Sequence, residues 1–466
     1  MSRRTLILTA ACGGYAAVCA TVVVRNVAGG AALAVLPALC LATVEVYRSA
    51  TAFPGRLAAL SWILLIATAA PWQTNRVTAA GVVTVTSGTD AAKLVVTTIA
   101  FVLAFMGRSR SVSFPWPVKA LLVYASISVL GAFTGPDVMS SLYRSVRLMM
   151  VVLAVTWAAS RLPRRRLAFL AVLFATAICV FAIVGAEAGL VAKVDGRLGG
   201  YIPPLQANDL AIIAASGALC GLVLWMRGEL RRSVFAVAIA IALVTLALTE
   251  SRASIIGLVV ALLVLGVPRL EKRGPIIVGI MIAAFTVTVF IQANTSAQPI
   301  TAALTHNGTT STTSTLTSRT SEWQSVGALN VTYPEKLFGQ GLADKTVPVD
   351  LPYTAYASLD GTWPSAYLSA GILGALTLAG AVLVAAWSAW RRRDGFALAL
   401  IALLLTNSLV EDTFNDVSTS VVLFISLGLA NAALERQARA RGRLRRRTSS
   451  VRADLDIRVP GEFPVT

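Results

Sequence analysis

The feature that most limits this chain is a recurrence of apolar runs, each of a length to cross about 30 Å of hydrocarbon and joined to the next by a short, arginine-bearing loop. They fall near residues 5–24, 27–46, 57–71, 93–107, 117–133, 146–160, 167–190, 208–226, 233–249, 252–268, 275–292, 364–390, 395–411 and 416–434. In lipid such a run must satisfy its own backbone, which an α-helix does. The 466 residues are 56% hydrophobic and 13% charged, with a mean hydropathy of +0.74, outside the range of soluble domains. The expected fold class is therefore an all-α polytopic membrane protein with about 12–14 transmembrane helices. Two runs, 57–71 and 146–160, are short, and Pro136 to Arg147 has the alternative of a re-entrant or interfacial piece.

A net charge of +18 would point a soluble protein towards nucleic acid. Here the basic residues stand at the ends of apolar runs, where membrane topology accounts for them, and no nucleic-acid partner is expected. With the N-terminus in the cytoplasm, Arg48 with Arg56, Arg108 with Arg110 and Lys119, Arg161 with Arg164 to Arg166, Arg227 with Arg231 and Arg232, Arg269 with Lys272 and Arg273, and Arg391 to Arg393 all fall inside. The clusters occupy alternate loops. Both termini are then cytoplasmic in a multi-pass protein of the cytoplasmic membrane. Arg3 and Arg4 before the first apolar run are read as the flank of an uncleaved first helix, and the Arg-rich tail 436–447 as a stop signal held near anionic headgroups. The five cysteines, Cys12, Cys19, Cys40, Cys179 and Cys220, all lie in apolar runs, so neither a disulfide framework nor a metal cluster is suggested.

The division that follows is residues 1–292 as transmembrane helices 1–11, 293–363 as an extracytoplasmic loop, 364–434 as helices 12–14, and 435–466 as a basic cytoplasmic tail. A loop of that size is functional or disordered by default. Thr301 to Ser321 is a Thr/Ser-rich, weakly hydrophobic segment. From Glu322 to Gly341 the spacing of Trp323, Val326, Leu329 and Val331 predicts a short amphipathic helix ended by Tyr333-Pro334. Phe338-Gly339-Gln340-Gly341 then makes a turn, and a Pro- and Tyr-bearing stretch leads to Asp360.

Arginines on the outer side lack the topological reason that explains the inner ones. Arg197, Arg252 and Arg319 lie in loops with turn or cap residues: Asp195-Gly196-Arg197-Leu198-Gly199-Gly200, Thr249-Glu250-Ser251-Arg252 and Thr317-Ser318-Arg319-Thr320. A planar guanidinium fork that keeps its proton suits phosphate oxygens; the alternative for each is a solvated or headgroup-bound arginine. Ser251 or Glu250 could equally cap the next helix. No nucleotide-binding loop, metal-ligand spacing or Ser/His/Asp arrangement occurs, so no cofactor or metal is expected and an outer-face donor must arrive preactivated. A polyprenyl-pyrophosphate glycan is such a donor, its leaving charge held by arginines. Asp360 is a candidate general base for the acceptor hydroxyl, with a turn-forming aspartate before Gly361 as the alternative. Trp323, Tyr353, Tyr356 and Trp363 could stack on sugars or serve as interfacial aromatics.

The run Gly199-Gly200-Tyr201-Ile202-Pro203-Pro204 with Asn208-Asp209-Leu210-Ala211, and then Leu248-Thr249-Glu250-Ser251-Arg252-Ala253-Ser254, resemble motifs of the O-antigen ligase and O-antigen polymerase (Wzy-like) superfamily. Arg319, Trp323, Pro334, Gly339 and Gly341 follow its Arg, Trp, Pro, Gly-x-Gly order, and Asp360-Gly361-Thr362-Trp363 through Tyr367 to Gly371-Ile372-Leu373-Gly374 is similar to its closing motif. The resemblance covers about residues 190 to 380. It implies a metal-independent membrane glycosyltransferase of the GT-C type that transfers or polymerises a polyprenyl-pyrophosphate-linked glycan on the outer face, onto a glycan or lipid acceptor. Arg197 and Arg252 would hold the pyrophosphate and Asp360 would stand in the place of the catalytic His or Asp. Ligases of the family commonly have histidine there, whereas the single histidine here is His306, upstream in the Thr-rich segment. The competing class is a secondary transporter or lipid-linked oligosaccharide flippase, against which stand the scarcity of intramembrane carboxylates, chiefly Glu45 and Glu187, and the lack of an internal repeat.

The topology predicts that cysteine introduced at Thr310 reacts with an impermeant thiol reagent from the outside of the cytoplasmic membrane, whereas cysteine at Ser449 does not. Reversed labelling would move the loop to the cytoplasmic side.

Overall fold

The computed structural model describes residues 53–69, 87–108, 112, 114–187, 197–200, 205–266, 326, 329, 331–342, 346–351, 354–359, 361–409, 411–415 and 417–429. The helices are α1 (Phe53–Ala69), α2 (Ser87–Gly107), α3 (Trp116–Ala132), α4 (Val138–Arg161), α5 (Arg164–Glu187), α6 (Ala207–Met226), α7 (Arg232–Thr249), α8 (Arg252–Gly266), a short α9 (Tyr333–Phe338), α10 (Thr362–Arg391), α11 (Gly395–Ser408) and α12 (Thr419–Leu423), the last continuing as a π-helical turn over Phe424–Gly428. The all-α polytopic expectation stands. Among the described residues, five helices, starting at Val138, Arg164, Ala207, Arg232 and Thr362, are long and apolar enough to span a bilayer by length and composition, and six shorter ones are apolar. The runs at 5–24, 27–46 and 275–292 and the basic tail lie outside the described residues.

α6 is the centre of the bundle, buried without a break from Leu210 to Leu224. Its small residues permit this. A Cβ on Gly217 would come 2.4 Å from that of Ala175 on α5, the kind of close approach that substitutes for a hydrophobic drive between helices in lipid. Around it α3 packs on α10, α8 on α11, α1 on α2, and α4 on α1, α2 and α3.

The alternation of basic loops has a direct counterpart. Arg161 at the end of α4 donates to the carbonyls of Gly107 and Arg108 at the end of α2, both at 2.9 Å. Arg164 at the start of α5 pairs with Asp394 between α10 and α11 at 2.6 Å, and Arg165 reaches Glu229 between α6 and α7 at 3.8 Å. Among the described residues, the basic loops after α2, α4, α6 and α10 therefore gather at one end of the bundle. Cations there also answer the carbonyls left over at helix C-termini.

Pro136 to Arg147 is not a re-entrant piece. α4 runs unbroken for 24 residues from an Asp137 N-cap whose carboxylate accepts from the Ser140 N–H at 3.1 Å; hydrogen bonds from Ser140 hold that carboxyl below its ordinary pKa. The polar first half of α4 has structural work to do. Arg147, buried, donates to the Thr68 carbonyl at the end of α1 (2.7 Å), and Arg144 to the Leu342 carbonyl (3.3 Å).

Two details of the large loop differ from expectation. Tyr333-Pro334 begins a helix instead of ending one: proline is at home in a first helical turn, and the Glu335 carboxylate accepts from the Thr332 N–H (2.5 Å) and hydroxyl (2.7 Å), closing a capping box. These bonds from Thr332 hold the Glu335 carboxyl below its usual range. The stretch before Asp360 also carries an antiparallel hairpin, β1 (Thr346–Leu351) with β2 (Thr354–Ser358), in register from Thr346 opposite Ser358 to Leu351 opposite Thr354 with an irregularity between Pro348 and Leu351. A lone two-stranded hairpin is marginal in water. Its flanks are fixed by burial of Leu342 and Leu359.

α9 docks where α10 breaks. Gly371 has φ 63° and ψ −168° inside α10, which interrupts the i→i−4 ladder, and the carbonyls of Leu368 and Ser369 accept instead from the N–H groups of Gln340 (2.8 Å) and Gly341 (2.9 Å). The turn Phe338-Gly339-Gln340-Gly341 is thus the partner of a broken helix. Thr134, after α3, adds a hydroxyl bond to the Gly339 carbonyl. A Cβ on Gly371 would lie 2.3 Å from the Leu337 carbonyl group, and φ 63° with ψ −168° is backbone essentially restricted to glycine, at a cost of about 1–3 kcal/mol for another residue.

Gly371→Ala is predicted to lower the thermal unfolding midpoint in detergent and to expose the 333–341 segment to protease. Gly380→Ala in the same helix, where a Cβ meets nothing within 4 Å, is predicted to do neither. Equal behaviour of the two variants would refute the docking role.

Candidate active site

At the end of the bundle opposite the basic loops, three helices begin close together: α6 at Ala207, α8 at Arg252 and α10 at Thr362. Hydrogen bonds join their first turns. Arg197, in the segment before α6, donates through Nε to the carbonyl of Thr249 at the end of α7 (2.9 Å) and through Nη2 to the Oδ1 of Asn208 in the first turn of α6 (2.5 Å). The Asn208 Nδ2 donates onward to Oε1 of Glu411 (2.6 Å), a carboxylate 9% exposed in the segment between α11 and α12. The Glu411 carbonyl accepts from the hydroxyl of Thr362, the first residue of α10 (3.0 Å), and that hydroxyl oxygen accepts from the Thr413 N–H (2.7 Å).

The local sequence explains why the chain stops being helical here. Glu250 takes the left-handed conformation, φ 51°, as the C-cap of α7, turning the chain in a single residue into Ser251 and α8. Ser251 is buried, its hydroxyl donating to that of Ser254 (3.3 Å), which donates to Oδ1 of Asn407 in the last turn of α11 (2.9 Å). Of the two cap candidates, Glu250 thus closes the preceding helix. Leu198 N–H reaches the Leu248 carbonyl (2.9 Å), and Gly200 and Leu205 exchange backbone bonds (2.9 and 3.2 Å), which holds the Arg197 segment against the α7–α8 corner. On the other side Ser418 donates to the Thr413 carbonyl at 2.6 Å, Tyr124 of α3 donates to the side-chain and backbone carbonyls of Asn415, and Asn415 Nδ2 reaches Ser369 Oγ and Asp412 Oδ2, both at 3.5 Å.

The Arg197 guanidinium and three helix N-termini, which carry partial positive charge, meet here with the buried Glu411 carboxylate and with Asp209 in the first turn of α6. Among the described residues no three His, Cys, Asp or Glu side chains gather as metal ligands would.

Residues 237–377 match the O-antigen ligase family model. No curated protein and no solved structure matches the chain. The matched segment runs from α7 through the large loop and past the Gly371 break to residue 377 in α10, so it takes in Arg252, Arg319, Trp323, Tyr356, Asp360 and Trp363, while Arg197, Asn208 and Glu411 lie outside it. The resemblance read from short motifs thus holds over this O-antigen ligase segment. In general terms the match supports a membrane glycan-processing enzyme.

The structure brings Arg197 to the corner from which α8 starts, and Arg252 is the first residue of α8, exposed. Arg319, Trp323 and His306 lie outside the described residues. So does Asp360, although its neighbours Leu359, buried, and Gly361 frame the start of α10, where the Ser365 hydroxyl donates to the Leu359 carbonyl (3.2 Å). Tyr356 sits in β2 opposite Pro348. Trp363 is partly buried against the helix core. Two residues of the network carried no functional assignment from sequence. Asn208 stood inside a quoted motif without a role, and Glu411 closed an apolar run, a place where a carboxylate ordinarily signals nothing beyond an interface.

Proposed function

We propose that the protein transfers or polymerises a polyprenyl-pyrophosphate-linked glycan at the outer face of the cytoplasmic membrane without a metal, both termini being cytoplasmic and residues 293–363 forming the catalytic loop. The observation that carries this reading is the corner itself: Arg197, tied to Thr249 and Asn208, stands where α6, α8 and α10 begin, and the O-antigen ligase match covers two of those three starts.

An acceptor hydroxyl attacks the anomeric carbon of the donor sugar; the new C–O bond forms as the bond to the pyrophosphate oxygen breaks. Charge builds on the departing polyprenyl pyrophosphate. Arg197 and Arg252, with Arg319 from the loop, neutralise it, and fixed guanidinium groups do so without reorganising as the reaction proceeds. Asp360 takes the acceptor's proton. A sugar hydroxyl is a poor nucleophile near neutral pH, and a positioned base is worth about a hundredfold or more. Trp323, Tyr356 and Trp363 offer faces for the glycan.

The test is turnover in nanodiscs supplied with a polyprenyl-pyrophosphate oligosaccharide, read as lengthened or transferred glycan. Arg197→Lys and Arg252→Lys keep the charge but lose the fork and are expected to cut turnover about tenfold or more, at about 1.4 kcal/mol per factor of ten. Asp360→Asn is expected to abolish transfer while leaving donor binding intact, and His306→Ala to do little. Near-normal turnover in both lysine variants would reduce the arginines to headgroup contacts. An active Asp360→Asn beside a dead His306→Ala would move the catalytic centre into the Thr-rich segment.

A further inference from the structure

Glu411 is a buried carboxylate at the outer end of the bundle, outside the matched segment, and the reaction as written above makes no use of it. Its neighbours define its position closely. The side chain accepts from the Asn208 amide at 2.6 Å, its own N–H donates to the Asn407 carbonyl at 2.8 Å, and its carbonyl accepts from Thr362 at 3.0 Å. Burying a carboxylate is costly unless hydrogen bonds hold it. A carboxylate buried at this corner has no role in apolar packing.

We infer that Glu411 is a positioning residue for Arg197, acting through Asn208. A primary amide can present its oxygen or its NH2 group to a neighbour. Arg197 carries donors alone, so the Asn208 oxygen must face it if Asn208 is to hold the guanidinium. Glu411, as an acceptor on the opposite side, draws the NH2 group to itself and fixes that orientation. The guanidinium is then held along its Nε and Nη2 edge by the Thr249 carbonyl and the Asn208 oxygen, which sets the plane of the fork, and the plane decides whether two phosphate oxygens can be met at once. The same residue binds the corner together: its main chain is pinned on Thr362, two residues after Asp360. Glu411 thereby fixes the Arg197 fork relative to the start of α10. Without the carboxylate the Asn208 amide is free to turn, and Arg197 keeps its charge while losing its aim.

This inference rests on the pyrophosphate reading of Arg197, and the experiment separates the two. Affinity for a radiolabelled polyprenyl diphosphate is measured in nanodiscs for the full chain carrying Glu411→Leu, Glu411→Gln, Asn208→Ala and Arg197→Lys, and for the double variant Arg197→Lys/Glu411→Leu. Glu411→Leu is expected to weaken binding about tenfold or more, within the range for a broken charge-assisted bond. Glu411→Gln, which keeps an acceptor oxygen, recovers most of the affinity and keeps turnover. In the Arg197→Lys background Glu411→Leu costs less than about twofold further, because coupled residues fail to add. A purely structural role would give additive losses. Should Glu411→Leu fail to fold, Asn208→Ala breaks the relay at its middle and carries the same expected loss. Additive losses, or full affinity in Glu411→Leu or Asn208→Ala while Arg197→Lys is impaired, overturn the relay alone. Normal affinity with abolished turnover in Glu411→Gln overturns it in favour of a direct base role. Normal affinity in Arg197→Lys brings down the pyrophosphate reading and the relay with it.

Discussion

A backbone group that leaves a helix inside a bilayer must find its partner in another segment of the same protein, because no water is there to receive it. That constraint governs the end of the bundle opposite the basic loops. α10 breaks at Gly371, and the Gly339–Gly341 turn supplies N–H groups to two of its carbonyls. α11 stops at Ser408, and the irregular chain that follows is taken up by Thr362, Ser418 and Tyr124. α7 turns into α8 at a left-handed Glu250, and the Thr249 carbonyl is taken by Arg197. Interruptions of this kind are tolerated in membrane proteins where they are buried in protein or line a cavity. Here they lie side by side.

From this follows the chemistry the corner can support. The breaks place three helix starts and a guanidinium together, and on this arrangement the proposed pyrophosphate site rests. They also bring segments far apart in sequence into one hydrogen-bonded unit: Arg197, Asn208, Thr249, Thr362 and Glu411 span more than 200 residues. The opposite end is built otherwise. Arg161 closes helix C-termini, and Arg164 is neutralised by Asp394. These two cations are engaged in structure. The same residue type thus serves topology at one end and, on the reading proposed here, substrate at the other.

The helical spans were legible because a hydrophobic run bounded by arginines has few other ways to sit in lipid; α6 begins one residue from its expected start and α7 likewise. The first half of α4 was not legible. Its polar residues read as an interfacial piece, since nothing in the sequence shows that Arg147 has Thr68 to bond or that Arg144 has Leu342. In the loop, a proline after Tyr333 read as a stop, yet Thr332 and Glu335 already spelled a capping box. The hairpin was hidden by its prolines. The arginine fork could be proposed from residue type and side of the membrane, but the relay behind it could not, because Glu411 and Asn208 stand 203 positions apart and a single sequence does not show which distant polar residues meet.

In the proposed function, the corner between Arg197 and the starts of α8 and α10 receives a pyrophosphate. The most direct test is a structure of the protein in a nanodisc with a polyprenyl diphosphate bound. The diphosphate is expected within hydrogen-bonding distance of the Arg197 guanidinium, beside the first turn of α8. A diphosphate seated at the other end of the bundle, among Arg161, Arg164 and Arg165, or away from both arginine clusters, would contradict it.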